Sequence, residues 1–477
     1  MTTGAGERGS AQDGLFADDP RLVLVIVAAG LGLFMVALDF FAVQAAVPSM
    51  AADFDTTTTA LQWVLSGYML ALSAMFIVGG RLADIFGRRR WLIIGMAIFG
   101  ATSLLGGASQ SAEMIIVLRI LQGIGAAIVF PVSISVVTTA FPARKVERAV
   151  GLAFAVMAIG QGLGPFAGGA ITEYLSWRWV LWLNVPVALI VIVLVLRSVA
   201  ESRDESAPRT IDWAGLVLII ASVASFTYGI DRAADDGWTA PTTVGLIAAG
   251  LVGGALFLAV ESRVRFPLLD LRLFRIRRFS VMTGAGAVGN AGFGAVVMLS
   301  MLLLQNVRGL SAIEAGLAFL PFSLGTSVAS LLSGRLGGHQ PWAVMATALT
   351  AGGLGTLGMG LSGSLGLYLV CSAVAGFGIG LAFTYANVVT QTVVPPGKAG
   401  AASGAVLTVL VGAAGVAIAL SASLVDTQSV AEGIYSQSDI EAVLVGAGIL
   451  IAAAAPLVAL LGRERAPAEA LSENAGR

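Results

Sequence analysis

Two charged side chains sit where charge is expensive. Asp39, in Leu38-Asp-Phe-Phe-Ala-Val-Gln-Ala-Ala-Val-Pro48, is the only acid deep inside any long apolar run. Arg119, in Ile115-Ile-Val-Leu-Arg-Ile-Leu-Gln-Gly123, is the only base in such a run. A charge at the centre of a bilayer costs about 2.5–3.5 kcal/mol on insertion scales, so it normally faces a cavity and has a task. Burial and a nearby cation pull a carboxyl's proton affinity in opposite directions, and a carboxyl held between them can take up and release a proton. The competing reading of Asp39 is a structural acid locked in an ion pair. At 1.5 Å per residue, both side chains lie on the order of 10–14 Å from the outer ends of their helices, so they share a depth and can meet. The competing reading of Arg119 is a side chain that snorkels to the outer interface.

Two further patterns suit moving parts. Gly79-Gly-Arg-Leu-Ala-Asp-Ile-Phe-Gly-Arg-Arg-Arg90 is a short, charged, glycine-punctuated turn between two apolar segments, with Gly80, Asp84, Gly87 and Arg88 as its key positions. Its basic residues place it on the cytoplasmic side. In Gly160-Gln-Gly-Leu-Gly-Pro-Phe-Ala-Gly-Gly169, Gly160, Gly164 and Gly168 recur every four residues and stack on one helix face, with Gly169 beside them. Such a face allows close backbone approach to another helix. Pro165 removes a backbone donor and is expected to bend the helix.

These residues need membrane helices to hold them. The chain has 477 residues, 57% hydrophobic and 12% charged, half the charge of a typical soluble domain, which averages about 25%. Spanning the hydrocarbon takes about 20 apolar residues. Fourteen segments qualify: 22–47, 60–80, 91–108, 112–140, 149–172, 179–196, 213–230, 242–260, 279–304, 312–332, 343–361, 365–394, 400–424 and 440–461. They must be helices, since lipid leaves no other partner for the backbone of an open span. Residues 1–20 carry no signal-peptide pattern, so the first span is expected to stay as an anchor. With the N-terminus inside, all but four of the 27 basic residues fall in cytoplasmic segments. Arg178, Arg232 and Arg308 lie outside, and Arg119 within a span. Outer loops carry acids instead, among them Asp53, Asp55, Asp235, Asp236, Asp426 and Glu432. A miscounted span would invert every later loop, so this split argues for fourteen spans, both termini cytoplasmic and a multi-pass cell-membrane protein.

The chain also repeats itself. Shifted by 253 positions, Gly123, Gly125, Phe130, Pro142, Lys145, Gly151 and Gly162 fall on Gly376, Gly378, Phe383, Pro395, Lys398, Gly404 and Gly415. Gly164-Pro165 falls on Ala417-Ile418, so the second copy lacks the glycine–proline step. The expected architecture is all-α: a cytoplasmic tail (1–21), a six-helix bundle (22–198), a linker with two inserted helices near 213–230 and 242–260 (199–278), a second six-helix bundle (279–461) and a cytoplasmic tail (462–477). The halves are related by an axis along the membrane normal. Segment 261–278 alternates apolar and basic residues, which suits either the anionic inner interface or a solvated linker.

In order along the chain, these motifs resemble the fourteen-span drug:proton antiporter family of the major facilitator superfamily. The loop pattern G-x-L-a-D-x-x-G-r-[rk] maps onto Gly80, Leu82, Asp84, Gly87, Arg88 and Arg89. The first-span pattern l-D-x-T-v-v-N-v-A-l-P maps onto Leu38, Asp39, Ala46 and Pro48, with Phe41 where the family has Thr and Gln44 where it has Asn. The fourth-span pattern R-x-x-Q-G-x-g-a-A maps onto Arg119, Gln122, Gly123, Gly125, Ala126 and Ala127, and the fifth-span antiporter pattern onto Gly160, Gly164, Pro165, Gly168 and Gly169. Gln62-Trp-Val-Leu-Ser-Gly-Tyr-Met-Leu70, Trp177-Arg-Trp179, Asn184-Val-Pro186 and Pro267-Leu-Leu-Asp-Leu-Arg-Leu-Phe274 also look like family segments. The resemblance implies the major facilitator fold, proton coupling through Asp39 and Arg119, and a gate in which Asp84 latches onto span 13 near Lys398–Ala402. The physics agrees, because a helix N-terminus stabilises a carboxylate. The alternative is that the loop charges only set topology.

The expected function is a proton-coupled antiporter that exports an apolar or amphipathic small molecule, with the proton as coupling ion, no other cofactor, no nucleic-acid partner and a monomeric state. Proton-coupled uptake of a metabolite is the alternative, and the glycine–proline pattern argues against it by resemblance. A membrane enzyme is disfavoured: no H-E-x-x-H and no phosphate-binding G-x-x-x-x-G-K-[ST] occurs, and the single His339 and single Cys371 exclude a His-rich or Cys-based metal centre. A sensor would need a cytoplasmic domain, and stretches of about twenty residues are too short for one. Candidates for a substrate cavity are Gln44, Trp63, Tyr68, Gln161, Asn290, Phe383, Tyr385 and Asn387.

Overall fold

The computed structural model of the chain describes residues 15–16, 19–56, 61, 63–205, 212–265, 267–336, 340–425 and 437–462. Gln62, His339, Asp426, Glu432 and most of both tails lie outside the described residues, as does the side chain of Asp235. Fourteen described helices are long and apolar enough to cross a membrane. They are α1 (Arg21–Asp53), α2 (Trp63–Phe86), α3 (Arg88–Gly107), α4 (Ala112–Ala140), α5 (Ala143–Tyr174), α6 (Trp177–Ser198) and α7 (Trp213–Asp236), then α8 (Pro241–Glu261), α9 (Arg277–Met301), α10 (Ala312–Ser333), α11 (Pro341–Gly360), α12 (Leu365–Thr392), α13 (Ala399–Leu424) and α14 (Gln437–Gly462).

Each corresponds to one predicted span, with ends shifted by a few residues and some helices extended. α5 begins at Ala143, because Arg144, Lys145, Glu147 and Arg148 are good helix formers even where hydropathy has ended. α1 likewise runs on to Asp53. α6 keeps helical backbone angles through Leu183 (φ −57°, ψ −30°), although Pro186 has no N–H to give the carbonyl one turn earlier.

The pairing of helices has a twofold logic. In the first set α1 packs on α5, α2 on α4, α3 on α4 and α6. In the second, α9 packs on α13, α10 on α12, α11 on α12 and α14, which is the same scheme eight helices on. Between the sets run two seams, α2 against α13 and α5 against α10. The α7–α8 hairpin belongs to neither set. It lies over the α2–α13 seam, through an apolar cluster of Ile77, Val78, Ile219, Phe257, Leu268, Leu269 and Ala405. Around the perimeter, Leu189, Ile190, Val193, Leu251, Leu256, Leu450 and Leu460 are exposed, as a surface solvated by lipid requires.

Segment 267–276 is folded onto the protein. Leu268, Leu269 and Leu273 are buried, Leu271–Arg275 forms a 3-10 turn, and Asp270 pairs with Lys398 at 2.6 Å.

Candidate functional site

The ends of α2, α4, α8, α10 and α12 and the starts of α3, α5, α9, α11 and α13 define one face of the molecule, here the basic face. Deep between it and the opposite face, Asp39 of α1 and Arg119 of α4 meet, Arg119 Nη1 to Asp39 Oδ2 at 2.5 Å, both with no exposed surface. Asp39 Oδ1 accepts Asn184 Nδ2 at 2.6 Å and Gln122 Nε2 at 3.2 Å. Both amides also donate to Ser103 Oγ of α3, at 3.1 Å and 2.6 Å. Arg119 gives Nη1 to Gln122 Oε1 at 2.7 Å and Nε to the carbonyl of Val64 on α2 at 3.1 Å. Its guanidinium carbon stands 4.2 Å from the centre of the Tyr68 ring. Five helices thus converge on one buried carboxylate. Three atoms of the cluster remain without a hydrogen-bond partner among the described residues: Arg119 Nη2, Asn184 Oδ1 and the Tyr68 hydroxyl.

Asn184 follows Leu183 within α6, and its side chain reaches across to α1 and α3.

From Tyr68 a row of aromatic rings crosses the molecule. Tyr68 stacks with Phe40 (6.0 Å between centroids), Phe40 meets Phe41 (5.2 Å), and Phe41 meets Phe293 of α9 edge-on (6.3 Å). Phe293 continues to Phe322 of α10 (5.9 Å). Phe41, the departure from the antiporter pattern, is therefore the ring that carries this row from one helix set to the other.

α5 supports α1 behind these groups. An added Cβ at Gly160 would fall 2.5 Å from the Phe34 carbonyl oxygen, one at Gly164 2.5 Å from Phe41 Cβ, and one at Gly168 against the Ala42 backbone. The stripe thus brackets Asp39 along α1. Pro165 and Gly169 face the other way, toward Gly316 and Ile313 of α10. α5 stays helical through Pro165.

At the basic face, Asp84 is buried at the end of α2. Its Oδ1 accepts Arg88 Nη2 (2.6 Å) and Gly400 N (3.2 Å), and its Oδ2 accepts Ala401 N (2.8 Å). The acid therefore caps α13 across the seam, where the helix dipole favours it. Arg88 Nη2 adds the Gly397 carbonyl at 2.9 Å. Gly80 permits the approach, for any Cβ there would strike the Gly400 carbonyl. Gly87, at φ +114°, turns the chain into α3 in a conformation that other residues rarely adopt. Segment 201–204 joins the same assembly. Ser202 O accepts Arg88 N (2.9 Å), Asp84 O accepts Asp204 N (2.8 Å), and the Glu201 carboxylate accepts Arg89 N and Arg90 N at the start of α3 (3.1 and 3.2 Å).

Residues 29–420 match the profile of the Major Facilitator Superfamily. The chain belongs to that superfamily. It is 34% identical over 390 residues to multidrug resistance protein Stp of Mycobacterium tuberculosis, covering 80% of this chain and 72% of that one. It is 34% identical over 414 residues to the cephamycin export protein CmcT of Amycolatopsis lactamdurans, covering 83% and 84%. Its fold resembles the crystal structure of the human organic anion transporter MFSD10, with a TM-score of 0.67 at 14% identity over 93% of this chain and 100% of that one. As a member of the major facilitator superfamily, the chain is a multi-pass membrane transporter of small molecules and not an enzyme.

The cavity candidates separate in this transporter. Tyr68 belongs to the charged cluster, while Trp63 packs on Tyr228 of the inserted hairpin (5.1 Å). Asn290 donates to the Leu410 carbonyl (2.7 Å), tying α9 to α13, and Asn387 donates to Phe383 within α12 (2.9 Å). Phe383 meets Phe154 edge-on at 5.4 Å across the α5–α12 contact. Tyr385 is buried on α12, and Gln44 and Gln161 are half-buried on α1 and α5. Sequence reasoning left out Ser103, Gln122 and Asn184 as partners of Asp39. Their signal was polarity within apolar spans. It likewise missed Glu201, Ser202 and Asp204, which read only as a polar linker.

Proposed function

We propose that this transporter exports an apolar or amphipathic small molecule in exchange for protons, by alternating access of the two helix sets. The observation that carries the reading is the ion pair of Asp39 and Arg119, enclosed by amides and lying at one end of an aromatic row that links both sets. In this reading the basic face is cytoplasmic, since basic residues concentrate on that side of membrane proteins, and both termini are cytoplasmic with it. With Asp84 engaged on α13, the contact at the basic face is made and the path to the cytoplasm is closed.

In this reading, a proton arriving from outside takes the place of Arg119 on Asp39. Neutralised, Asp39 no longer requires the guanidinium. Arg119, already over the Tyr68 ring and lacking a partner at Nη2, is then free to move along the aromatic row, and the α1–α4 contact loosens. Protons moving inward supply the energy, each charge worth about 2.3 kcal/mol per 100 mV of membrane potential. The aromatic row gives an apolar or planar substrate a surface of matching chemistry. The relatives named for multidrug resistance and cephamycin export support export over uptake. The monomer suffices, because both helix sets lie in one chain.

The test is proton movement in liposomes on substrate addition, wild type against Asp39→Asn, with and without a protonophore. Loss of proton flux with a folded protein is expected in the variant. Wild-type flux in Asp39→Asn would refute the assignment.

A further inference from the structure

The inserted hairpin carries acidic chemistry that the transport site leaves unused. Asp212 caps the start of α7, its Oδ1 accepting Gly215 N at 2.9 Å. Glu261, the last residue of α8, is only 3% exposed, and its Oε2 accepts Leu269 N at 2.9 Å. Each carboxylate therefore has one oxygen held by a backbone N–H. The other two, Asp212 Oδ2 and Glu261 Oε1, are buried and have no hydrogen-bond partner among the described residues. Both point at one spot, since a Cβ built on Gly215 would lie 2.6 Å from each. Glycine at 215 is what lets the two acids approach.

The surroundings sharpen the problem. Ile219, Phe257, Leu268 and Leu269 pack around the hairpin end together with Ile77 and Val78 of α2. Of the charged groups on the packed elements, Arg81 of α2 lies within electrostatic reach of Glu261. Asp84 is engaged by Arg88 and α13, and Lys398 pairs with Asp270. Arg263 and Arg265 are exposed on the turn that follows. Two buried carboxylate oxygens thus converge with no hydrogen-bond donor among the described residues.

We propose that Asp212 and Glu261 form a second proton-binding site, separate from Asp39, in which one proton is held between the two carboxyls. A proton taken from solution onto either free oxygen turns it into an O–H donor, and the opposing carboxylate oxygen accepts it, so both unpartnered atoms are satisfied at once. A divalent cation would ask for six or more oxygens, whereas two carboxylate oxygens suit a proton. The shared proton ties the start of α7 to the end of α8 directly over the α2–α13 seam.

The experiment is an infrared pH titration of the full-length protein in lipid nanodiscs, following the carbonyl stretch of protonated carboxylic acid. Wild type is compared with Glu261→Gln, Asp212→Asn and Gly215→Ala. Glu261→Gln keeps the shape and the oxygen that meets Leu269, and should remove one titrating acid. Asp212→Asn keeps the helix cap and offers Glu261 a neutral N–H, so proton affinity should fall about tenfold or more, one unit of midpoint per factor of ten. Gly215→Ala keeps both acids and separates them, and should lower the affinity in the same direction. An unchanged acid signal in Glu261→Gln, or unmoved midpoints in both other variants, overturns the proposal. So does a wild-type midpoint that tracks sodium or magnesium concentration, which would mark a metal-cation site instead.

Discussion

Asp39 is held by donors from α4 and α6 acting on both of its oxygens. Removing one partner of a buried pair leaves an uncompensated charge, which typically costs about 3–5 kcal/mol. Single neutral substitutions of Asp39 and Arg119 should therefore each be more disruptive than the double substitution, and a double-mutant cycle should show strong coupling. Additive effects on thermal stability and on binding would exclude a direct pair. Asn184 offers a separate test. Asn184→Ala takes the 2.6 Å donor from Asp39 and leaves Ser103 with Gln122 alone. Oδ1 then keeps only the longer bond from Gln122, and a hydrogen bond to a charged group is worth about 1.5–3 kcal/mol. The expected result is a lowered unfolding midpoint together with weakened proton flux. Wild-type values in both would make Asn184 a bystander.

Among elements, α5 is the one whose two faces do different work. Its Gly160, Gly164 and Gly168 lie on the backbone of α1, while Gly169 looks at Ile313 across 3.6 Å. Gly168→Ala places a methyl inside the Ala42 backbone, and overpacking of this kind costs about 1–3 kcal/mol. Gly169→Ala meets ordinary van der Waals space and should stay within about 0.5 kcal/mol of wild type. Unfolding midpoints of the two variants, measured side by side, check the contrast. Equal losses would mean that α5 tolerates change on neither face, and equal neutrality that the α1 contact gives way freely. Pro165→Ala, at the centre of the same helix, is expected to slow transport at equal expression.

For the whole molecule, the proposed cycle assigns to the contact at the basic face the choice of which way the transporter opens. Asp84 bonds to α13 in this structure, and a contact made in one state alone shifts a two-state equilibrium when it is removed. Asp84→Asn should raise labelling of cysteines placed on the basic face, in a background lacking Cys371, and should slow transport. Identical labelling with normal transport would reduce the turn to a topology signal. The Asp270–Lys398 pair straps the segment after α8 to the start of α13. Burial raises the Asp270 carboxyl's affinity for its proton, but hydrogen bonds from Lys398 and Arg272 with the charge of Lys398 hold it below the ordinary 3.8. A depressed carboxylate stabilises the folded form above its unfolded value and ceases to as pH falls through the folded one. The strap should therefore hold throughout the neutral range and release only below about pH 4. Asp270→Asn should mimic that release at neutral pH, with a loss of about 0.2–1 kcal/mol, as befits a partly exposed pair. A stability loss on mild acidification that Asp270→Asn abolishes would contradict this.

Hydropathy alone determined the number and order of the spans, because a helix in lipid must hide its backbone and show apolar side chains over a fixed length. The sequence also marked Asp39, Arg119 and Asp84, since a charge in or beside an apolar run stands out against its neighbours. It could not reveal that Asp39 and Arg119 touch. Shared depth is a one-dimensional statement, whereas contact depends on how α1 and α4 rotate and cross. Asn184 escaped notice for a related reason: a neutral amide costs little to place in a span, and only the packing of α6 on α1 brings it to Asp39. Glu201, Ser202 and Asp204 read only as polar linker, because polarity is ambiguous between water and a partner. Their bonds to the α2–α3 turn arise only after α6 has brought the chain back to the basic face. The acids Asp212 and Glu261 lie far apart in the chain and become neighbours when α7 and α8 pair, with Gly215 leaving the space between them. Tertiary packing decided these juxtapositions, because it alone fixes which faces of separate helices meet.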